Sequence, residues 1–471
     1  MVFLKDNKVI AIALIFIIII AFSLRFYPAL LSPDFSGPDP YYHTRLAEQW
    51  VAEENIPEFD ELSMQGRDYS YRWFFHAFLA SFQILSGLPM NFLAQLLPAI
   101  YGVLSVLMVF IITRKLFDSR TALFSSFTLA FLLLHVLRTA SYARPDSLSL
   151  LFVPLILYLV YRKNYFIASI IFACLSLLHP TSAGFVFIFL IFYMFLKKFK
   201  SQPENFKAIT LILITGLIAF FSWAVLAELN LFNYVSSVSL ESVEMQPLNF
   251  LQLIYFFSFA WIFVFFGLTK LKNNLFLKLW LVLGFIVSIF GVRLGIHFTI
   301  PAAILSGFGI NLVLQKTKPF QVIALFLIFV LALMSTLPFL LKYSPFLASQ
   351  DKSALLWIKD NSLESESILT EWDFGHPLTY LTGRKTVMDG YFEFAPDLEK
   401  RNSDVRTFLS TSDCSKIKRI SKKYAVDFVF IPVKHFNSVT VQNGFMENEC
   451  DFVNKIYSSP NTSVFRVEPN T

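Results

Sequence analysis

The stretch 9–31, VIAIALIFIIIIAFSLRFYPALL, carries one charged residue, Arg25, and is long enough to cross a bilayer as a helix, which takes about 20 apolar residues. Comparable runs recur along the chain. In lipid, every backbone N–H and C=O needs a partner within the chain, so runs of this kind fold as helices. Reading for them places about eleven spans, at 9–28, 90–112, 121–139, 147–161, 164–178, 181–196, 208–227, 251–268, 279–292, 295–314 and 320–341. The first run lacks a small-residue cleavage site and is followed by further spans, so it reads as a retained anchor rather than a signal peptide. Segment 73–88, WFFHAFLASFQILSGL, is short and aromatic, as expected of an interfacial or half-inserted helix. Composition agrees: only 15% of residues are charged and 56% are hydrophobic, whereas soluble domains carry about 25% charged residues.

From Tyr343 the chain turns polar and stays so to Thr471. The expected organisation is a multispanning unit over 1–343 and a small soluble α/β unit over 344–471. In the tail, 421–436 reads as a helix end running into a buried strand, and 463–469 as a second strand. Cys414 and Cys450 both lie in this tail. They pair if it faces an oxidising space, and two free thiols remain equally open.

The net charge of +6 does not point to nucleic acid, because the basic residues sit in small groups between apolar runs. Lys and Arg accumulate on the cytoplasmic side of spans. Every second connection is basic, which places the N-terminus in the cytoplasm and the tail outside the cell membrane. The remaining connections, facing outward, hold Asp34, Asp39 and His43, then Arg138, Arg144 and Asp146, then His179, Glu241 and Glu244, and Arg293. Ionisable groups gathered at one membrane boundary mark a substrate pathway. Carboxylates converging from distant connections can hold a hard divalent cation such as Mn²⁺ or Mg²⁺.

Four motifs occur in order: GPDPYYHTR after the first span, SYARPDS two spans later, ESVEMQP in a later outer loop, and TEWDFGH in the tail. In this order they resemble the catalytic subunit of archaeal oligosaccharyltransferase, a polytopic glycosyltransferase of the GT-C class. The last is the most specific, being similar to the family's WWDYG.

The resemblance implies transfer of a glycan from a polyprenyl (dolichyl) phosphate or diphosphate carrier to Asn in Asn-x-Ser/Thr, by a metal-dependent enzyme that can act as a single subunit. Its partners are then a lipid-linked oligosaccharide, an acceptor polypeptide and membrane lipids. By the same resemblance, Asp39 binds Mn²⁺ or Mg²⁺ and engages the acceptor amide, and Glu244 engages the amide beside it. Asp146 is a metal ligand. The family's second acidic motif has two ligands two residues apart, and here Arg144 and Leu148 flank Asp146 at that spacing, so His179 is expected to supply the missing donor. Arg293, assisted by His297, binds the donor phosphate. Trp372, Asp373, Phe374 and Gly375 form the acceptor pocket, in which Glu371 replaces the first Trp of the family motif.

Physical alternatives accompany each role. Asp39-Pro40 can open a turn, Asp146 can cap a helix, Arg293 can snorkel to headgroups, and Trp-Asp-Phe-Gly can end a strand. The nearest rival function is a GT-C enzyme moving a polyprenyl-phosphate-linked sugar to a lipid, sugar or hydroxyl acceptor. A non-catalytic relative that keeps the fold is another. A transporter would place its ionisable groups and broken helices near mid-membrane, whereas these charges gather at outer ends.

Overall fold

The computed structural model describes residues 7–55, 57–69, 71–201, 204–226, 247, 249–271, 274–392, 395–436, 441, 444–447 and 449–468. Each expected span falls on helix. The first is α1 (Asn7–Leu31), the second α4 (Met90–Leu116), and between them lie α2 (Asp39–Glu53), the hairpin β1 (Phe59–Asp60) and β2 (Arg67–Asp68), and α3 (Phe74–Ser86). The third expected span divides into α5 (Ser119–Phe131) and α6 (Leu133–Leu137). There follow α7 (Pro145–Tyr161), α8 (Tyr165–Leu178), α9 (Pro180–Phe199) and α10 (Phe206–Leu226). The next expected span is broken into α11 (Phe250–Phe257) and α12 (Ala260–Lys270), bent by 91°. Then come α13 (Leu275–Ile289), α14 (Ile296–Lys316) and α15 (Gln321–Lys342).

Among the described residues six helices are long and apolar enough to cross a membrane alone, and the bent pair makes a seventh. The shorter apolar helices are α3, α7, α8 and α13. The most enclosed span is α14, buried over 83% of its apolar window, against 17% for α15. The protein is therefore a multi-pass membrane protein whose outermost helices present apolar side chains to lipid.

The breaks are stabilised by side chains. Leu132 is extended between α5 and α6, which frees carbonyls of the preceding turn. Arg25, fully buried in α1, donates to the carbonyls of Leu129 and Ala130 and to Thr139 Oγ1. An arginine within a span is tolerated because each N–H meets an acceptor.

The tail begins with α16 (Ser349–Asp360), followed by β3 (Ser367–Leu369), α17 (Trp372–Thr382), β4 (Lys385–Thr386), α18 (Leu398–Leu409), α19 (Cys414–Lys423), β5 (Val426–Ile431), β6 (Val453–Ser459) and β7 (Thr462–Val467). The sheet order is β4-β3-β5-β7-β6; β4, β3 and β5 run parallel, and β7 is antiparallel to both its neighbours. Val429, Ile431, Val405, Phe408, Ile417 and Phe465 fill one core face. Cys414 and Cys450 are joined in a disulfide. The expected α/β tail is what the structure has, and the expected buried strand is β5.

The connection between α1 and α4 is stitched to the tail. Phe346 N–H donates to the Phe35 carbonyl, Thr386 N–H to that of Leu62, and Lys352 pairs with Asp34 at 2.9 Å. Helix α2 packs directly on α17.

Candidate active site

Asp39 stands in the first turn of α2 and Asp146 in the first turn of α7, each beside a proline that fits an opening helical turn. A carboxylate is favoured there by the helix dipole. The two acids come from distant parts of the chain and meet at one side chain. Arg144 Nε lies 3.2 Å from Asp39 Oδ2 and 3.8 Å from Asp146 Oδ1. Arg138 Nη1 lies 3.3 Å from the other oxygen of Asp146. Tyr142 sits under both cations, with the Arg144 guanidinium carbon 4.9 Å from its ring centre. Gly37 allows this approach: a Cβ there would stand 3.0 Å from the Tyr142 ring.

A second polar cluster lies one turn further along α7. Ser149 Oγ donates to the Asp146 carbonyl, and Ser182 Oγ donates to Ser149 at 3.1 Å. His179 Nδ1 is 2.7 Å from Ser182 Oγ, and its Nε2 faces Arg293 Nη2 at 3.3 Å. A guanidinium has no acceptor, so Nε2 of His179 accepts and Nδ1 carries the hydrogen. His297 Nε2 is 3.4 Å from Ser182 Oγ, and its ring stacks on Phe185 at 4.4 Å. Among the described residues, Nε of Arg293 is buried without a hydrogen-bond partner.

In the tail, Trp372 opens α17 and packs edge-on against Phe392. Asp373 is buried and paired with Lys434. Phe374 packs against Phe346, with ring centres 5.0 Å apart. Gly375 presses on the chain after β4, where a Cβ would stand 2.4 Å from the Met388 carbonyl oxygen. His376 ties this element to α2: its ring centre is 4.9 Å from that of Tyr42. Burial pushes the His376 pKa down, against the opposing pull of Asp389 and Asp39.

The structure thus brings Asp39 and Asp146 to one guanidinium, and His179, His297 and Arg293 to one hydroxyl cluster. Trp372 to Gly375 lie on the helix that packs against α2. Glu244 falls outside the described residues. Arg138 and Arg144, which the sequence shows but to which it assigns no role, grip the acids, and Ser149 and Ser182 join the clusters. Lys434 gives no signal in sequence beyond a basic residue after a strand. Arg144 could have been flagged, because it takes one of the two places, with Leu148, that the resemblance leaves for a second acid beside Asp146.

Among the described residues, no group of three or more His, Cys, Asp and Glu side chains is arranged to hold a metal ion. His179 is committed to Arg293 and Ser182 rather than to the two acids. An ion shared by Asp39 and Asp146 would have to displace or oppose the Arg144 guanidinium, which already faces one oxygen of each acid. As arranged, these residues do not fit a resident divalent cation.

A cavity of about 320 Å³ opens beside Arg138, lined also by Ser36, Tyr142, Phe256, Phe339 and Lys342. Its lining combines apolar side chains with two cations, Arg138 and Lys342.

The family profile described as dolichyl-phosphate-mannose-protein mannosyltransferase matches residues 72–225. Dolichyl-phosphooligosaccharide-protein glycotransferase 2 of Pyrococcus furiosus is 29% identical over 117 residues, 23% of this chain and 16% of its own length. Glycotransferase 3 of Archaeoglobus fulgidus is 33% identical over 103 residues, 20% of this chain and 12% of its own. The matched region is thus a small part of either curated relative. The apo oligosaccharyltransferase of Archaeoglobus fulgidus superposes with a TM-score of 0.74 at 15% identity, over 99% of this chain and 75% of that one. The same enzyme solved with an inhibitory peptide and a dolichol-phosphate gives 0.69 at 15% identity, over 98% and 74%. Solved with Zn and sulfate, it gives 0.66 at 15% identity, over 97% and 72%. ArnT of Cupriavidus metallidurans gives 0.62 at 12% identity, over 96% and 97%. The chain has the GT-C fold that the archaeal oligosaccharyltransferase and ArnT share.

Proposed function

We propose that this protein is an oligosaccharyltransferase-type glycosyltransferase, moving a glycan from a polyprenyl phosphate or diphosphate to the side-chain amide of Asn in Asn-x-Ser/Thr. The observation that carries the reading is the meeting of Asp39 and Asp146 at Arg144, with Asp39 opening the helix α2 against which the helix beginning WDFGH packs.

An amide nitrogen is a poor nucleophile because its lone pair is delocalised into the carbonyl. A carboxylate accepting a hydrogen bond from the amide N–H holds the nitrogen at the sugar carbon and stabilises charge developing there. Asp39, with its side chain 34% exposed, can receive the amide, whereas Asp146, with none exposed, braces the site from behind. Glu244 is the second amide acceptor in this reading. Arg293 holds the donor phosphate, since a guanidinium presents two parallel N–H bonds to phosphate oxygens and its buried Nε lacks an acceptor among the described residues. The cavity beside Arg138 suits the junction of phosphate and polyprenyl chain. Trp372, Asp373, Phe374 and Gly375 border the acceptor.

The Cys414–Cys450 disulfide supports an extracytoplasmic tail, because such bonds persist in oxidising space. In this reading 1–343 is the catalytic membrane unit, 344–471 is an outward-facing unit, and one subunit suffices. Mn²⁺ or Mg²⁺ is the ion the resemblance implies, and its chemistry would be to neutralise the departing phosphate. With Arg144 against both acids the residues do not fit it, and no step here runs through it.

A second reading, transfer to a lipid, sugar or hydroxyl acceptor, is favoured by Glu371 in place of a Trp and by the pairing of Asp373 with Lys434. The test incubates purified protein with a lipid-linked glycan extract and an Asn-x-Thr peptide. Glycopeptide from wild type that is lost in both Asp39→Ala and Glu244→Ala supports the first reading; equal product from all three refutes these residue roles.

A further inference from the structure

We propose that Arg144 is the built-in cation of this centre, a positioning residue that holds Asp39 and Asp146 as a divalent ion would, so that the centre works without a resident metal. What the acids then do rests on the glycosyl-transfer reading above; the identity of the cation between them does not.

The geometry is specific. The Arg144 guanidinium faces one oxygen of each acid, at 3.2 Å and 3.8 Å, and its side chain is only 7% exposed. Its position is fixed by the Tyr142 ring and by the backbone of α7, for which Arg144 is the N-terminal flanking residue. A cation held against an aromatic face while its N–H groups reach carboxylates is doubly restrained. Among the described residues, Arg138 and Arg144 face Asp39 and Asp146, so a doubly charged ion placed between the acids would stand against two guanidinium groups. Arg144 stands two residues before Asp146, so the cation and one of the acids it faces come from the same short connection and the opening turn of α7.

The test is direct binding of Mn²⁺ to the full-length protein in lipid nanodiscs after EDTA treatment, read by loss of the free-ion electron paramagnetic resonance signal. This readout needs no donor or acceptor, so it stands whether or not glycan transfer is observed. Wild type and Arg144→Lys are expected to leave the signal unchanged at millimolar Mn²⁺. Arg144→Asp, which removes the cation and puts a carboxylate in its place, is expected to bind one ion at least about 100-fold more tightly than wild type. If that variant does not fold, Arg144→Gln replaces it, with the same direction of change. One Mn²⁺ bound by wild type and released on Asp39→Asn or Asp146→Asn would overturn the proposal. So would Arg144 variants that fold yet bind no more tightly than wild type.

Discussion

Nε2 of His179 stands 3.3 Å from Nη2 of Arg293, so the histidine fixes the arginine from one side while Nε of the same guanidinium has no acceptor among the described residues. That arrangement leaves the fork ready for an anion. Arg293→Lys keeps the charge and loses the parallel bonds. It is expected to raise KM for the lipid-linked donor about tenfold, roughly 1.4 kcal/mol, with a smaller change in KM for the peptide. Steady-state kinetics varying each substrate in turn checks this, and an unchanged donor KM contradicts it.

Asp60 gives a pH signature outside the membrane. Burial alone would raise its carboxyl, but Arg45, paired at 2.6 Å, together with Arg67 and the Ser63 N–H, brings it down to about 2. A depressed carboxyl contributes stability above its unfolded value, near 4, and loses that contribution as pH falls through about 2; the amount is about 2 kcal/mol. Thermal melts between these pH values are expected to show wild type losing stability more steeply than Asp60→Asn. Arg45→Ala should cost about 3 kcal/mol at neutral pH, because it removes the bidentate partner of a buried carboxylate and leaves only Arg67 and backbone N–H groups to offset its charge. Parallel melting curves for wild type and Asp60→Asn would contradict the assignment.

The disulfide closes 36 positions of chain. A loop of that length constrains the unfolded tail by about 4 kcal/mol in the chain-entropy description. Cys414→Ser should lower the unfolding midpoint of the tail, and reductant should bring wild type to the same value. Limited proteolysis reads the tail separately from the membrane helices. Equal midpoints with and without reductant would mean the bond contributes nothing.

At Gly375 a methyl group would stand 2.4 Å from the Met388 carbonyl oxygen and 2.6 Å from Asp389 Cα. These are backbone atoms, which cannot swing aside. Gly375→Ala is therefore expected to destabilise the packing of α17 on the sheet by about 1–3 kcal/mol and to weaken peptide transfer with it. A melt and an activity assay on the same preparation check both.

The apolar runs made the helices legible, because a lipid environment leaves the backbone few other solutions. Two breaks were not legible. The α11–α12 bend falls at Ser258, with φ of 41°, where neither Gly nor Pro announces it. The α5–α6 break depends on Arg25 from another helix to satisfy its carbonyls. The acids of the site could be read because their chemistry restricts the residue types, and their side chains end in the same place as Arg144. That grip was hidden: it depends on how side chains from α2 and the α6–α7 connection are aimed, which spacing along the chain does not encode. Lys434 beside Asp373 was hidden for the same reason.

The most direct measurement locates the transferred sugar. Tandem mass spectrometry of a peptide bearing one Asn-x-Thr, after incubation with the protein and a lipid-linked glycan, should find the glycan on the Asn side chain, with at least about 100-fold less product from Asp39→Asn. A bare peptide alongside sugar newly attached to a lipid or hydroxyl acceptor would contradict the account.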